Sequence, residues 1–160
     1  TVEMGGEFSE AVYYGNGPYE SYPDFKEHVK LGVFSKNAKD FLEPYIRPQE
    51  SGNRTEVRYL SLKNEKGFGI MFLADKDFLN VGVKTISDQE LAKCRHREDI
   101  VDSGTVYVSV DGFMSGIGSN SCGPKTMPEY RLPADRKYGM SFVMVPFTDV
   151  TTPFENKEIK

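Results

Sequence analysis

At 160 residues, with 20 basic and 24 acidic side chains and a net charge of −4, the chain has the length of one domain and can bury roughly 70% of its unfolded surface without cross-links. Its charges are interspersed and form no basic run, which excludes the electrostatic footprint of nucleic-acid binding, and no stretch approaches the roughly 20 apolar residues of a membrane-spanning helix. Two cysteines fall far short of a disulfide framework, and their pairing cannot be read from spacing. The opening TVEMGGEF shows no charged start, apolar core and cleavage site, and patterned sequence begins at Thr1, as it does in a piece of a longer polypeptide. Composition leaves the compartment open.

In chain order, the dominant hydrophobic period is two, which predicts strands. Strands are expected near residues 9–14 and 27–34. Residues 56–62 (EVRYLSL) and 68–74 (FGIMFLA) are β-rich runs separated by Lys63-Asn64-Glu65-Lys66-Gly67, a loop of hairpin length, and predict a strand pair. Ser87-Asp88-Gln89-Glu90 supplies a cap and a capping box for one helix, continued by Leu91 to Arg97 with basic residues toward its C-terminal end. Val106, Val108 and Val110 alternate with Tyr107 and Ser109 and run into Asp111-Gly112, a hairpin-turn signal. Tyr138 to Phe147 (YGMSFVMVPF) is apolar on both faces, as in a strand buried between two layers. The last 13 residues, TDVTTPFENKEIK, are polar, so the expected division is a sandwich over 1–147 and a tail or linker over 148–160. The predicted fold class is all-β, an antiparallel β-sandwich with one short helix.

The chemistry turns on residues 116–124, GIGSNSCGP. A dinucleotide fingerprint needs glycine where Ser121 stands and a helix facing the phosphates, and Gly123-Pro124 blocks that helix. A nucleophile elbow needs Gly-x-Ser-x-Gly on a strand-to-helix turn, which SNSCG does not supply. Cys122 as a nucleophile needs a base beside it, and sequence places neither His28 nor His96 there. The plain reading is a glycine-permitted turn carrying a small thiol. Cys94-Arg95-His96 lacks the paired ligands of a zinc site and reads as a solvated, positively charged helix end; no metal ligand set is expected. Asn53-Arg54-Thr55 matches a glycosylation acceptor, to which no function is attached. Tyr13 to Tyr22 packs four tyrosines around Gly15-Asn16-Gly17-Pro18, a sugar-stacking surface or a paved sandwich edge.

Three segments in fixed order carry a resemblance. Gly15-Asn16-Gly17-Pro18-Tyr19-Glu20-Ser21-Tyr22-Pro23-Asp24 is similar to a Gly-x-Gly-Pro-x-Glu-x-Tyr-x-Asp motif, and Pro44-Tyr45-Ile46-Arg47-Pro48-Gln49-Glu50-Ser51-Gly52-Asn53 to Pro-Tyr-x-x-Pro-Gln-Glu-x-Gly-Asn. The third runs from Asp111-Gly112-Phe113-Met114-Ser115-Gly116-Ile117-Gly118 to Ser121-Cys122-Gly123-Pro124. Together they resemble the C-terminal domain of family-two, lacZ-type β-galactosidases over about residues 10–147. The resemblance implies a supersandwich akin to the galactose mutarotase fold, of which this chain is roughly the C-terminal half. It also implies that the catalytic carboxylates and metal ions lie on a barrel outside this chain, which then needs no cofactor of its own. The implied partners are the rest of the chain or a large subunit, a galactoside in a shared cleft, and further copies in a homo-oligomer.

By the same resemblance Asn120, Ser121 and Cys122, in the loop Gly116–Pro124, touch substrate. Where the best-known members have a tryptophan stacking on the aglycone, this sequence has Cys122, which offers far less contact area. The other function classes consistent with the residues are a self-sufficient carbohydrate-binding or mutarotase-like module and a structural subunit-interface domain.

Overall fold

A computed structural model describes residues 1–118, 123 and 125–149. The strands are β1 (Val2–Gly5), β2 (Glu10–Gly17), β3 (Lys30–Asn37), β4 (Arg54–Val57), β5 (Tyr59–Lys63), β6 (Phe68–Ala74), β7 (Leu79–Lys84), β8 (Thr105–Asp111) and β9 (Phe142–Thr148), with one short helix, α1 (Asp88–Leu91). They form two antiparallel sheets, a four-stranded one in the order β1-β8-β7-β4 and a five-stranded one in the order β3-β2-β5-β6-β9. The expected all-β sandwich is the fold.

Alternation decides what goes inside. Val106 and Val108 of β8 are fully buried while the alternating Tyr107 and Ser109 are half-buried, and Val108 lies opposite both Val2 and Val83. From the facing sheet come Ala11, Tyr13, Leu60, Leu62 and Phe72, which pair across β2, β5 and β6 and share one face. Burying each large apolar side chain in this layer is worth about 1.5–3 kcal/mol, which sets the sandwich's driving force.

Four local expectations change. The run 56–62 is not one strand: β4 belongs to one sheet and β5 to the other, and the chain crosses between them at Glu56 (φ 54°) and Arg58, where the β4 register slips. Arg58 N donates to Tyr14 O (2.7 Å) and Ala74 N to Arg58 O (2.9 Å), so the crossover is itself hydrogen-bonded. The β5–β6 hairpin forms as expected, Tyr59 opposite Leu73 and Lys63 opposite Gly69.

Asp111-Gly112 ends β8 without making a hairpin, because both neighbours of β8, β1 and β7, precede it in sequence. The helix capped by Ser87, whose hydroxyl accepts from Glu90 N (3.2 Å), stops at Leu91 after one turn, and a separate 3-10 turn covers Arg97–Asp99. Cys94 follows the stop, and its single thiol proton lies within reach of either Glu90 O (3.4 Å) or Asp99 O (3.5 Å).

The last change concerns β9. It is the outer strand of the five-stranded sheet rather than a strand buried between layers, and Val143 (47% exposed) and Met144 (45%) are open on its two faces. Met144 lies opposite fully buried Phe72, so its exposure means that the four-stranded sheet does not extend over β9. Pairing runs through Thr148, and Asp149 N donates to Gly67 O (3.0 Å). Residues 150–160 lie outside the described residues.

Candidate functional site

The stretch that leaves β2 buries its polar residues. The Gly17–Pro18 peptide is cis, Tyr19 is exposed, and Glu20, Ser21 and Tyr22 then turn inward. Glu20 Oε2 accepts from Gly52 N (2.9 Å) and Oε1 from the Tyr45 hydroxyl. Ser21 N donates to Asn53 O (2.8 Å), Asn53 Nδ2 returns a bond to Ser21 O (2.8 Å), and Thr55 N donates to Ser21 Oγ (3.0 Å). Asn16 Nδ2 completes the lattice on Thr55 Oγ1 (3.0 Å). The first two sequence motifs are thus one joint, tied by polar bonds that span 25 to 39 residues of chain. Gly52 sits at φ 80°, with its α-carbon against the Phe41 carbonyl, a place that a side chain cannot share.

This joint shifts the phenols around it. Burial first, then the bond to Glu20, pushes Tyr45 up to about 12. Burial, with the Glu20 and Glu50 carboxylates adding to it and the Asn53 backbone opposing it, raises Tyr22. Below the joint lies Arg54, fully buried. Its Nε donates to Tyr13 Oη (3.1 Å) and Nη1 to Asn53 O (3.1 Å), and its guanidinium stands 5.1 Å from the Phe41 ring centre. Nη2 is 4.0 Å from Glu43 Oε1, and neither atom has a hydrogen bond among the described residues. The glycosylation match therefore falls on a buried asparagine whose amide nitrogen is engaged, and two of the four tyrosines, Tyr13 and Tyr22, are core residues rather than a sugar platform.

Asp24, the last residue of the first motif, reaches the third. Its Oδ1 accepts from Ile117 N (2.9 Å) and its Oδ2 from Gly118 N (2.7 Å), two charge-assisted bonds that clamp the start of the glycine-rich loop. Gly116 is required here: an added Cβ would sit 2.5 Å from Asp24 Oδ2 and 2.8 Å from Tyr130 Cβ. Gly116 N donates to Tyr130 O (2.7 Å), while Thr126 Oγ1 and Ser115 Oγ both donate to Gly116 O (3.0 and 2.9 Å). Arg131 Nε closes the far side on Thr126 O (2.7 Å). Beside this clamp is an open cleft of about 380 Å³ lined by Ser115, Lys125, Thr126, Arg131 and Leu132. Asn120, Ser121 and Cys122, the residues expected to touch substrate, lie outside the described residues, as do Ser119 and Pro124.

Sequence reasoning quoted Glu20, Ser21 and Asp24 only as motif letters and missed their work as the bonds that join the motifs. Arg54 was missed altogether, because a charged residue entering a strand gives no sign that it will face inward. Lys84 was missed for the same reason. It is buried, held by Glu50 Oε2 (2.9 Å) and Asp88; burial alone would lower its pKa, but the two carboxylates outweigh that and raise it. Cys94 and His96 do not converge on a ligand site, and among the described residues no group of three or more His, Cys, Asp or Glu side chains is placed to hold a metal.

Residues 1–144 match the family model described as "Beta galactosidase small chain". The chain belongs to that family. It is 33% identical over 144 residues to a Beta-galactosidase of Priestia megaterium, covering 89% of this chain and 14% of that relative. It is 35% identical over 140 residues to one of Lactobacillus delbrueckii subsp. bulgaricus (88% and 14%), and 34% over 133 residues to one of Kluyveromyces lactis (82% and 12%). The small-chain sequence thus spans about one seventh of the length of these relatives, and the matched stretch is a minor part of a much longer polypeptide. All three motifs lie inside the family match, so the clamp by Asp24 and the joint at Glu20 and Ser21 are features of a small-chain domain.

Proposed function

We propose that this chain is the portion of a β-galactosidase that builds one wall of the substrate cleft, while the acid/base and nucleophilic carboxylates are supplied by the rest of the enzyme. The reaction is retaining hydrolysis of a terminal β-galactoside such as lactose, for which two carboxylates flank the glycosidic bond. The observation that carries this reading is the clamp: Asp24 fixes Ile117 and Gly118, and the joint at Glu20 and Ser21 ties that clamp to the sandwich. A loop held at its base by two charge-assisted bonds on a rigid sheet is how a fold presents residues to a ligand bound elsewhere. Asn120, Ser121 and Cys122 follow the clamp in sequence and are the residues proposed to meet the aglycone.

The test is complementation. The chain alone should hydrolyse no galactoside, and activity should appear when it is supplied with the remainder of the enzyme; hydrolysis by the isolated chain refutes the reading. In the assembled enzyme, Cys122→Ala should weaken transfer to a sugar acceptor more than hydrolysis, and equal loss of both removes the loop from the cleft. Titration of the isolated chain with galactose separates this reading from a self-sufficient sugar-binding module, which requires binding tighter than millimolar without a partner.

A structural role accompanies it, favoured by the outer face of the five-stranded sheet. Val33, Tyr14, Tyr59, Leu73 and Val143 pair in one row across all five strands, on the side away from the core, with Val33 61% exposed and Val143 47%. An apolar row ending on an open edge strand is a surface built to be covered. Val33→Glu with Val143→Glu should lower the association of the chain with the remainder of the enzyme, read as solution mass; unchanged association removes this face from the interface.

A further inference from the structure

The cleft beside the Asp24 clamp is unusual in what it offers a ligand. Ser115 and Thr126 direct their hydroxyl protons at Gly116 O, so the donors left to face the cleft belong to Lys125 and Arg131. Among the described residues no carboxylate lines it. Recognition of a neutral sugar uses acceptors as well as donors, because each hydroxyl carries both. The charged groups among the described lining residues, Lys125 and Arg131, are both cations, which favours an anion over a neutral hydroxyl.

The two cations are also unpaired. Like most of the chain's basic side chains, neither Lys125 nor Arg131 makes an ion pair among the described residues, Glu129 of the same turn included, so both charges are open to a ligand. Arg131 is nevertheless held: its Nε is spent on Thr126 O, and Thr126 in turn bonds Gly116. That leaves the two terminal nitrogens of a pre-oriented fork, the geometry that matches a carboxylate. In a chain of net charge −4, an anion is drawn to such a place only by these local charges.

We propose that Lys125 and Arg131 form an anion subsite on the acceptor side of the cleft, which takes galactosides whose aglycone carries a carboxylate. The inference rests on the reading that this loop faces the galactoside cleft. The assembled enzyme then binds an acidic disaccharide more tightly than its neutral twin. Exposed charge pairs contribute little each, so the preference is about threefold to tenfold and falls as salt screens it.

Lactobionate (galactosyl-gluconate) and lactitol (galactosyl-sorbitol) make the comparison, since they differ by one carboxylate in place of one hydroxymethyl. Each is used as an inhibitor of nitrophenyl galactoside hydrolysis by the assembled enzyme. The expected result is a lower inhibition constant for lactobionate, an advantage that vanishes in Lys125→Gln/Arg131→Gln and reverses in Lys125→Glu. Equal constants in the unaltered enzyme, or an advantage that survives the double substitution, overturn the anion subsite while leaving the functional reading intact. Absence of galactoside hydrolysis by the assembled enzyme overturns that reading and the subsite with it.

Discussion

Arg54 and Arg131 are the same residue put to opposite uses. Arg54 is fully buried, stacked on Phe41, and bonded to Tyr13 and Asn53, where it knits the joint under the first two motifs. Arg131 is exposed, tied by one nitrogen to Thr126, and leaves its fork open to a cleft. The difference lies in what surrounds each one. Around Arg54, two layers of strands have removed water, so the guanidinium must find partners inside or be unstable there. Around Arg131, the loop beyond β8 runs on the surface, so water satisfies whatever the protein does not. The interior segment therefore fixes shape, and the surface segment presents charge.

The largest effect should come from Arg54→Ala, which opens a cavity beneath Phe41 and strips Tyr13 of its donor; chemical unfolding should show a loss of about 3 kcal/mol or more. A loss near zero would mean that the interior joint is no tighter than the surface loop. Gly52→Ala comes next, at about 2 kcal/mol, because alanine resists a positive φ and its methyl meets the Phe41 carbonyl.

Asp24→Ala sharpens the contrast from the other side. It should cost about 1 kcal/mol globally, since Ile117 N and Gly118 N turn to water, but speed hydrogen exchange at those two amides about tenfold or more. Exchange unchanged there removes the clamp. The smallest effect is at alkaline pH. The Tyr45 phenol is raised in the folded chain, so its contribution is complete below pH 10, the ordinary value, and is lost as pH climbs toward about 12. Tyr13, Tyr22 and Tyr59 are raised as well, so absorbance titration should show several late tyrosinates, one of which Tyr45→Phe removes.

Periodicity made part of this visible in advance. The alternation in β8 and the hairpin β5–β6 were legible because side chains on a strand must alternate between core and solvent. The Ser87 cap was legible too, as a bond between residues three apart. Where local signals failed, a distant contact had overridden them. EVRYLSL reads as one strand, but Val57 is claimed by Leu79 in one sheet and Tyr59 by Leu73 in the other. YGMSFVMVPF reads as a central strand because its apolar faces look alike, and sequence cannot show that the opposite sheet ends before reaching it. At the site, the motifs were legible as residues but not as a constellation, since the bonds from Asp24 to Ile117 and Gly118 span more than ninety residues.

By itself, then, the sequence determined the all-β class, the antiparallel pairing of neighbouring runs and the three segments that mark the small-chain family. Those depend on spacing and residue type, which are written along the chain. Only the tertiary structure decided that Glu20 and Ser21 lock the second motif, that Asp24 clamps the third, and that one arginine is sealed inside while another faces a cleft. Such choices depend on which surfaces meet when two sheets close, and burial has no counterpart in linear order.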